Sequence, residues 1–268
     1  KKHVVTDNKA LIAKYGDQLA KIAENNKVNL EFEASVCGGV PIIRSLKESL
    51  IANKISKIYG ILNGTSNYIL SSMDKDNKNF QEVLSIAKKL GYAETNPSAD
   101  LNGDDVSAKL KILSSLCFNS FLSDNIYVEG IKEIDTTDIN NANKLGYKIK
   151  LLGFAELLNN NIYQRVHPTL IKKDSYVASI DGVLNAVIVD GKPVGQSIIQ
   201  GEGAGPAATT SALISDISSI LRGNIKFPFS VSSKERKELK FKTIDERLFS
   251  AYLRFEVIDK PGVLSNIT

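Results

Sequence analysis

Within the stretch GYAETNPSADLNGDDVSAK, residues 91–109, the carboxylates of Glu94, Asp100, Asp104 and Asp105 gather just ahead of Lys109. Asp105 and Lys109 are four positions apart, so on a helix they share a face. Spacing alone leaves two readings open. One is a solvated ion pair on a helix surface, worth about 0.3–0.5 kcal/mol. The other is a polar pocket in which carboxylates receive a cationic amino group and the lysine moves a proton. A lysine titrates at ~10.4 in water and must be lowered, by burial or by a second cation, to exchange a proton near neutrality. Lys9, opening a helix that follows a short apolar strand, would be that second cation, although a solvated first-turn lysine reads the same way.

Two further stretches carry possible chemistry. In FEASVCGGVP, residues 32–41, one carboxylate, Glu33, precedes small residues whose carbonyls are free to turn inward. Hard cations prefer such oxygen ligands, while a tight strand-to-helix turn would use the same glycines. GEGAG, residues 201–205, stands before a helix and offers the unpaired N–H groups that hold anions. A simple turn has that composition too.

The elements that would position these groups alternate in type. Residues His3–Thr6 read as a strand end, with Thr6 or Asp7 capping a helix to about Asn25. NLEFEAS reads as a short strand, followed by a helix from Pro41 to about Ala52 with proline in its first turn. KISKIYGILN alternates as a strand and runs into a helix at GTSNYIL. FQEVLSIAKKL is amphipathic and ends at Gly91, and DDVSAKLKILSSLCF forms a second amphipathic helix. YKIKLLGFAELL and NIYQRVHPTLI pair about Asn159–Asn160, and VLNAVIVDGKPVGQSIIQ reads as a hairpin around Asp190–Gly191. SALISDISSILRG is a further helix; SVSSKERKELKFKTIDE reads as a linker; RLFSAYLRFEV and DKPGVLSNIT read as a new strand and helix.

Composition narrows the chemistry. The chain has 268 residues, 43% hydrophobic and 24% charged, which suits a globular protein with a sizeable core. The net charge of +4 is spread among acids, without a basic stripe interleaved with aromatics, so nucleic-acid binding is disfavoured. Two histidines make a histidine-rich zinc site improbable, and two cysteines fit a reduced intracellular protein. No apolar run is long enough for a membrane span, and neither a G-x-S-x-G elbow nor a P-loop is present.

Taken together, these stretches resemble the homoserine dehydrogenase family. The family signature A-x(3)-G, an acidic turn with [DNS]-P, then D-[LIVM]-x-G-x-D-x(3)-K, is matched by Ala87, Gly91, Asn96-Pro97, Asp100-Leu101, Gly103, Asp105 and Lys109. VVTDNKALIA, FEASVCGGVPII, GILNGTSNYIL and GEGAG look like further family blocks in family order, so the resemblance covers nearly the whole chain. Ala207-Ala208-Thr209 departs from it, since the family often carries proline before the threonine.

The resemblance implies an α+β catalytic and dimerisation domain with a mixed or antiparallel sheet, attached to the remnant of a Rossmann-like α/β domain. The implied segments are residues 1–25 as that remnant, 26–206 as the catalytic domain, 207–226 as a returning helix, 227–248 as a linker, and 249–268 as the start of an ACT domain. It implies NAD(P)-dependent interconversion of L-homoserine and L-aspartate 4-semialdehyde, on the route to threonine, methionine and isoleucine. Lys109 and Lys9 take the catalytic roles, while Glu94, Asp105, Gly64, Thr65 and Tyr92 bind substrate. Lys9, Gly91, Gly203 and Gly205 touch NADP or NAD, and Glu33 with the carbonyls of Val36, Gly38 and Val40 holds a sodium ion. A cytoplasmic homodimer or homotetramer follows by the same resemblance. Another aldehyde-forming dehydrogenase, or a non-catalytic amino-acid-sensing or assembly fragment, is the alternative.

Overall fold

The computed structural model describes residues 1–246, 248–258, 260, 262, 263 and 265. Strand β1 (Val4–Val5) and β2 (Leu30–Glu31) pair in parallel, with helix α1 (Lys9–Asn26) between them. The pairing of Val4 with Leu30 carries this small α/β unit past the boundary expected near residue 26. The cap of α1 is Asn8, whose side chain accepts from the Leu11 N–H, rather than Thr6 or Asp7. The strand expected over NLEFEAS stops at Glu31, and a tight turn of helix, Glu33–Ser35, takes its place. The helix expected from Pro41 also differs. Helix α2 (Ile42–Arg44) widens at once into a π turn over Ser45–Ser49, where the Leu50 N–H reaches back to the Ser45 carbonyl.

A mixed sheet forms the body of the fold. Strands β3 (Lys54–Ile61), β5 (Tyr147–Leu158), β6 (Asn161–Lys172), β7 (Leu184–Lys192) and β8 (Gly195–Glu202) run antiparallel in the order β6-β5-β3-β7-β8. Short strands β4 (Tyr127–Val128) and β9 (Lys240–Lys242) add to β6 in parallel. Asn159 and Asn160, both at positive φ, make the two-residue turn between β5 and β6, as their amide side chains permit. In the next hairpin Asp190 and Gly191 remain in the ladder, opposite Gln196 and Gly195, so the turn falls at Pro193–Val194 instead.

Helices α3 (Gly64–Asp76), α6 (Asp104–Phe118) and α7 (Thr136–Lys144) pack on β5, with α4 (Phe80–Lys89) on α3 and α5 (Ser98–Asn102) on α6. Asn63 caps α3 by accepting from Ser66, and Asn79 with Glu82 forms a capping box on α4. Helix α6 is buried nearly all round, not amphipathic as its sequence suggests, because it crosses the sheet and also faces α1. Gly153 permits that crossing: a Cβ there would stand 2.9 Å from Leu62 and 3.0 Å from Val106 of α6. Helix α8 (Pro206–Leu221) returns to pack against β1 and the Glu33–Ser35 turn.

The stretch expected to be a linker is docked instead. Phe229 is fully buried against Phe32, with ring centroids 5.4 Å apart, and Arg236 is buried beneath α6. No strand forms over residues 248–258 among the described residues. Tyr252 and Arg254 instead reach Asp138 at the start of α7. The helix expected over DKPGVLSNIT lies largely outside the described residues.

Candidate active site

A cleft of about 700 Å³ opens where five segments converge beside Val183, in the turn that leads into β7. These are the start of α1, the Glu33–Val40 loop, the start of α3, the turn after α4 with α5 and α6, and the loop from β8 to α8. Lys9 and Lys109 both face it, as do Glu94 and Asp105. Gly64, Thr65 and Tyr92 line the same space, and so do Gly91, Gly203 and Gly205. Every residue expected at the catalytic, substrate and cofactor positions therefore lies on one cavity.

Lys109 is the most constrained of them. Its side chain is about one-tenth exposed, and its Nζ donates to the Leu62 carbonyl at 2.7 Å and pairs with Asp105 Oδ2 at 2.7 Å. Asp105 Oδ1 pairs with Lys9 Nζ at 3.2 Å, so a single carboxylate bridges the two lysines. Asn63 finishes the arrangement: its amide nitrogen donates to Asp105 at 2.9 Å and to Asp100 at 2.7 Å. The surface ion pair that spacing left open is excluded by this burial.

The charge balance differs from the expectation that a second lysine lowers the first. Burial acts to push Lys109 down, but the negative groups around it, Asp105 foremost, together hold the ammonium above its ordinary value. Burial likewise opposes the charge of Asp105, yet Lys109, Asn63 and Lys9 together hold that carboxyl below its ordinary value. The carboxylate lies between the lysines, so Lys9 acts on Lys109 through an intervening negative charge. Asp100 goes the other way: burial raises it despite the Asn63 amide, with Asp105 adding like charge. The site therefore holds one fixed anion, one buried cation and one carboxyl displaced towards its neutral form.

The sodium ligands expected from the resemblance fall elsewhere. Gly38 touches the cleft, whereas Glu33, Val36 and Val40 lie in the loop behind it. Glu33 accepts from the N–H groups of Ile43 at 2.9 Å and Arg44 at 2.7 Å, capping α2 with its carboxylate. Burial, with Asp216 as a like charge, raises Glu33 to about 7 despite those two N–H groups. The Val40 carbonyl accepts from Ile42 within the loop. The described residues contain no cluster of three or more side-chain metal ligands, so a cation here would depend on Glu33 and backbone oxygens.

The sequence reading gives Asn63 no role, and gives Asp100 none beyond its place in the acidic stretch and in the family signature. Asn63 had a signal, since asparagine directly before a helix start is a preferred cap; its second role as a bridge between two acids becomes visible only in space. Asp100 sits within the acidic stretch, and only the family signature separates it from Asp104, which faces outward between α1 and α6.

The family model for homoserine dehydrogenase matches residues 41–218. A homoserine dehydrogenase of Neisseria gonorrhoeae is 42% identical over 273 residues, covering 99% of this chain and 63% of its own length. That of Helicobacter pylori is 43% identical over 268 residues, covering 100% and 63%. The chain thus spans about 63% of the length of these relatives. Among solved structures, a homoserine dehydrogenase from Thiobacillus denitrificans superposes with a TM-score of 0.90 at 38% identity, over 99% of this chain and 63% of that one. A hyperthermophilic archaeal homoserine dehydrogenase in complex with NADPH superposes with a TM-score of 0.72 at 28% identity, over 84% and 66%.

Proposed function

This chain belongs to the homoserine dehydrogenase family, and we propose that it provides the substrate half of an NAD(P)-dependent enzyme interconverting L-homoserine and L-aspartate 4-semialdehyde. The observation that carries this reading is the buried Lys109 ammonium, gripped by Leu62 and Asp105 on the cleft that Lys9 also faces. A lysine ammonium has three N–H groups. With two directed at Leu62 and Asp105, the third is left for a substrate oxygen. In the reducing direction the ammonium donates a proton to that oxygen as the aldehyde becomes an alcohol, leaving the neutral amine; in the oxidising direction that neutral amine receives the hydroxyl proton. Asp105 orients the lysine nitrogen in both protonation states and favours the ammonium between turnovers, and Lys9 shares the same carboxylate from the open side.

Glu94 and Asp105 receive the substrate's ammonium, with Gly64, Thr65 and Tyr92 shaping the pocket. Replacing Glu94 by glutamine is expected to raise the KM for homoserine by ~10-fold, the loss of one charge-assisted contact. An analogue lacking the amino group should be indifferent to the change. Equal sensitivity of homoserine and the analogue would refute the role.

The cleft suits a nicotinamide cofactor. Gly91 and Gly205 adopt φ of +76° and +111°, and a Cβ on either would meet no atom within 4 Å, so both border open space in the cleft. Gly203, Gly205 and Lys9 would hold the nicotinamide end, whose contribution when bound is to accept or supply the hydride. Exclusion of water falls to the residues around it. The test is homoserine-dependent reduction of NAD⁺ or NADP⁺ by the complete protein, and its absence would favour the non-catalytic alternative. The enzyme would serve threonine, methionine and isoleucine formation as a cytoplasmic homodimer or homotetramer. No helix among the described residues is long and apolar enough to cross a membrane.

Sodium fits the Glu33 loop on electrostatic grounds. A carboxylate so desolvated that burial raises it to about 7, with Asp216 beside it, gains from a cation among the carbonyls of Val36, Gly38 and Val40. Sodium chloride is expected to raise the melting temperature above that in tetramethylammonium chloride of equal ionic strength, and Glu33→Gln to remove the difference. Identical melting in both salts would dispose of the site.

A further inference from the structure

Lys150, in the middle of β5, has only 1% of its surface exposed and takes no part in the chemistry above. An ammonium that deep must be paired and hydrogen-bonded to be tolerated. Its Nζ lies 3.0 Å from Asn67 Oδ1, 3.0 Å from Ser71 Oγ, 2.6 Å from the Ile180 carbonyl and 2.8 Å from Asp181 Oδ1. Two of these acceptors belong to α3, one turn apart, and two to the turn that leads into β7. Asn67 reinforces the link from the helix side, its amide nitrogen donating to the carbonyls of Ile180, Gly182 and Leu184 at 3.0–3.3 Å.

The two bodies so joined are the two sides of one wall of the cleft. Gly64 and Thr65, at the start of α3, line it, and so does Val183 in the Ile180–Leu184 turn. They touch closely: a Cβ on Gly64 would stand 2.7 Å from the Val183 carbonyl. Asn63, which bridges Asp100 and Asp105, caps the same helix. A shift of the turn relative to α3 therefore moves the surface against which the substrate lies.

We propose that Lys150 is a positioning residue, which fixes the substrate-side wall of the cleft by clamping the Ile180–Leu184 turn onto α3. The proposal deepens the reading of the cleft as a homoserine site and rests on it. The lysine supplies divergent donors from a single buried atom, and an apolar side chain of equal length supplies none. The clamp acts first on the substrate side, where Gly64, Thr65 and Val183 line the cleft, and it meets the loops after α4 and after β8 only at their edges, through Thr65 Oγ1 donating to the Tyr92 carbonyl and Leu184 pairing with Glu202.

The test is Lys150→Met in the complete protein. Hydrogen exchange at the amides of residues 181–184 is expected to quicken, and the KM for homoserine to rise by ~10-fold with kcat and the cofactor KM within ~2-fold, the pattern of lost ground-state positioning. A lower melting temperature with unchanged exchange in this turn, or an unchanged KM, would overturn it. If Lys150→Met fails to fold, Asp181→Ala decides instead, because Asp181 is half exposed and its loss removes only one acceptor. A KM rise of ~3-fold at constant kcat then supports the clamp, and an unchanged KM rejects it. Unsubstituted protein that does not turn over homoserine would count against the functional reading, while the exchange measurement still decides the clamp.

Discussion

Lys109→Ala in the complete protein is expected to lose turnover by at least ~100-fold, the scale of losing a positioned general acid–base, while the protein stays folded. Folding should survive because the partner left behind is not orphaned: Asp105 keeps Lys9 at 3.2 Å and Asn63 at 2.9 Å. Lys109→Arg should fail almost as badly, since a planar guanidinium cannot reproduce the grip of one nitrogen between Leu62 and Asp105. Steady-state rates with homoserine at saturation measure both, and near-normal turnover of Lys109→Ala would sink the assignment. The pH dependence of stability follows from the same pair. Asp105, held below 3.8, contributes stability that is complete above that value and is lost as pH falls through its lowered pKa. Lys109, held above 10.5, contributes stability that is complete below that value and is lost as pH rises through its raised pKa. Across neutrality the pair stays ionised.

Arg236→Ala, in the segment that follows α8, is expected to destabilise the protein by about 3 kcal/mol. The guanidinium donates to the Ser120 carbonyl from Nε at 3.1 Å and from Nη2 at 2.6 Å, and to Ser115 Oγ at 2.6 Å. It lies 4.3 Å from the ring centre of Phe229 and 4.9 Å from that of Phe121. Asp17 approaches Nη1 at 2.7 Å as a charge contact, out of line for a hydrogen bond. Removing the side chain takes two donors from the Ser120 carbonyl, which keeps only the Ser115 hydroxyl at 2.7 Å, leaves Asp17 Oδ1 without its cation in a buried place, and undoes the seat of Phe229. Burial already pulls Arg236 below its ordinary value, although Asp17 opposes this, which is the mark of a charge that only its partners make tolerable. A urea midpoint unchanged from that of the parent protein would refute this account.

Both changes mark the divide between what was legible in one dimension and what was not. The site's members were legible because the chemistry demands residue types at fixed local offsets. Asp105 and Lys109 one helical turn apart, and Gly91 ending α4, are short-range facts of a 3.6-residue period. The sheet was legible for a similar reason, since strand alternation and the asparagine turn at 159–160 are local.

What the sequence by itself determined about this protein is therefore the family, the α+β class, and the list of groups that meet in the cleft. Tertiary structure alone decided the state of those groups. Lys109 is held charged, not lowered, because Asp105 comes between it and Lys9, and nothing in the spacing of residues 9, 105 and 109 fixes that order. Tertiary structure also decided that SVSSKERKELKFKTIDE is no free linker: a charged run reads as solvated until Arg236 finds Asp17 and the Ser120 carbonyl, both more than a hundred residues away. The physical reason is common to both. Local backbone geometry depends on neighbours a few residues apart, whereas burial and charge pairing depend on groups brought together only when the chain closes on itself.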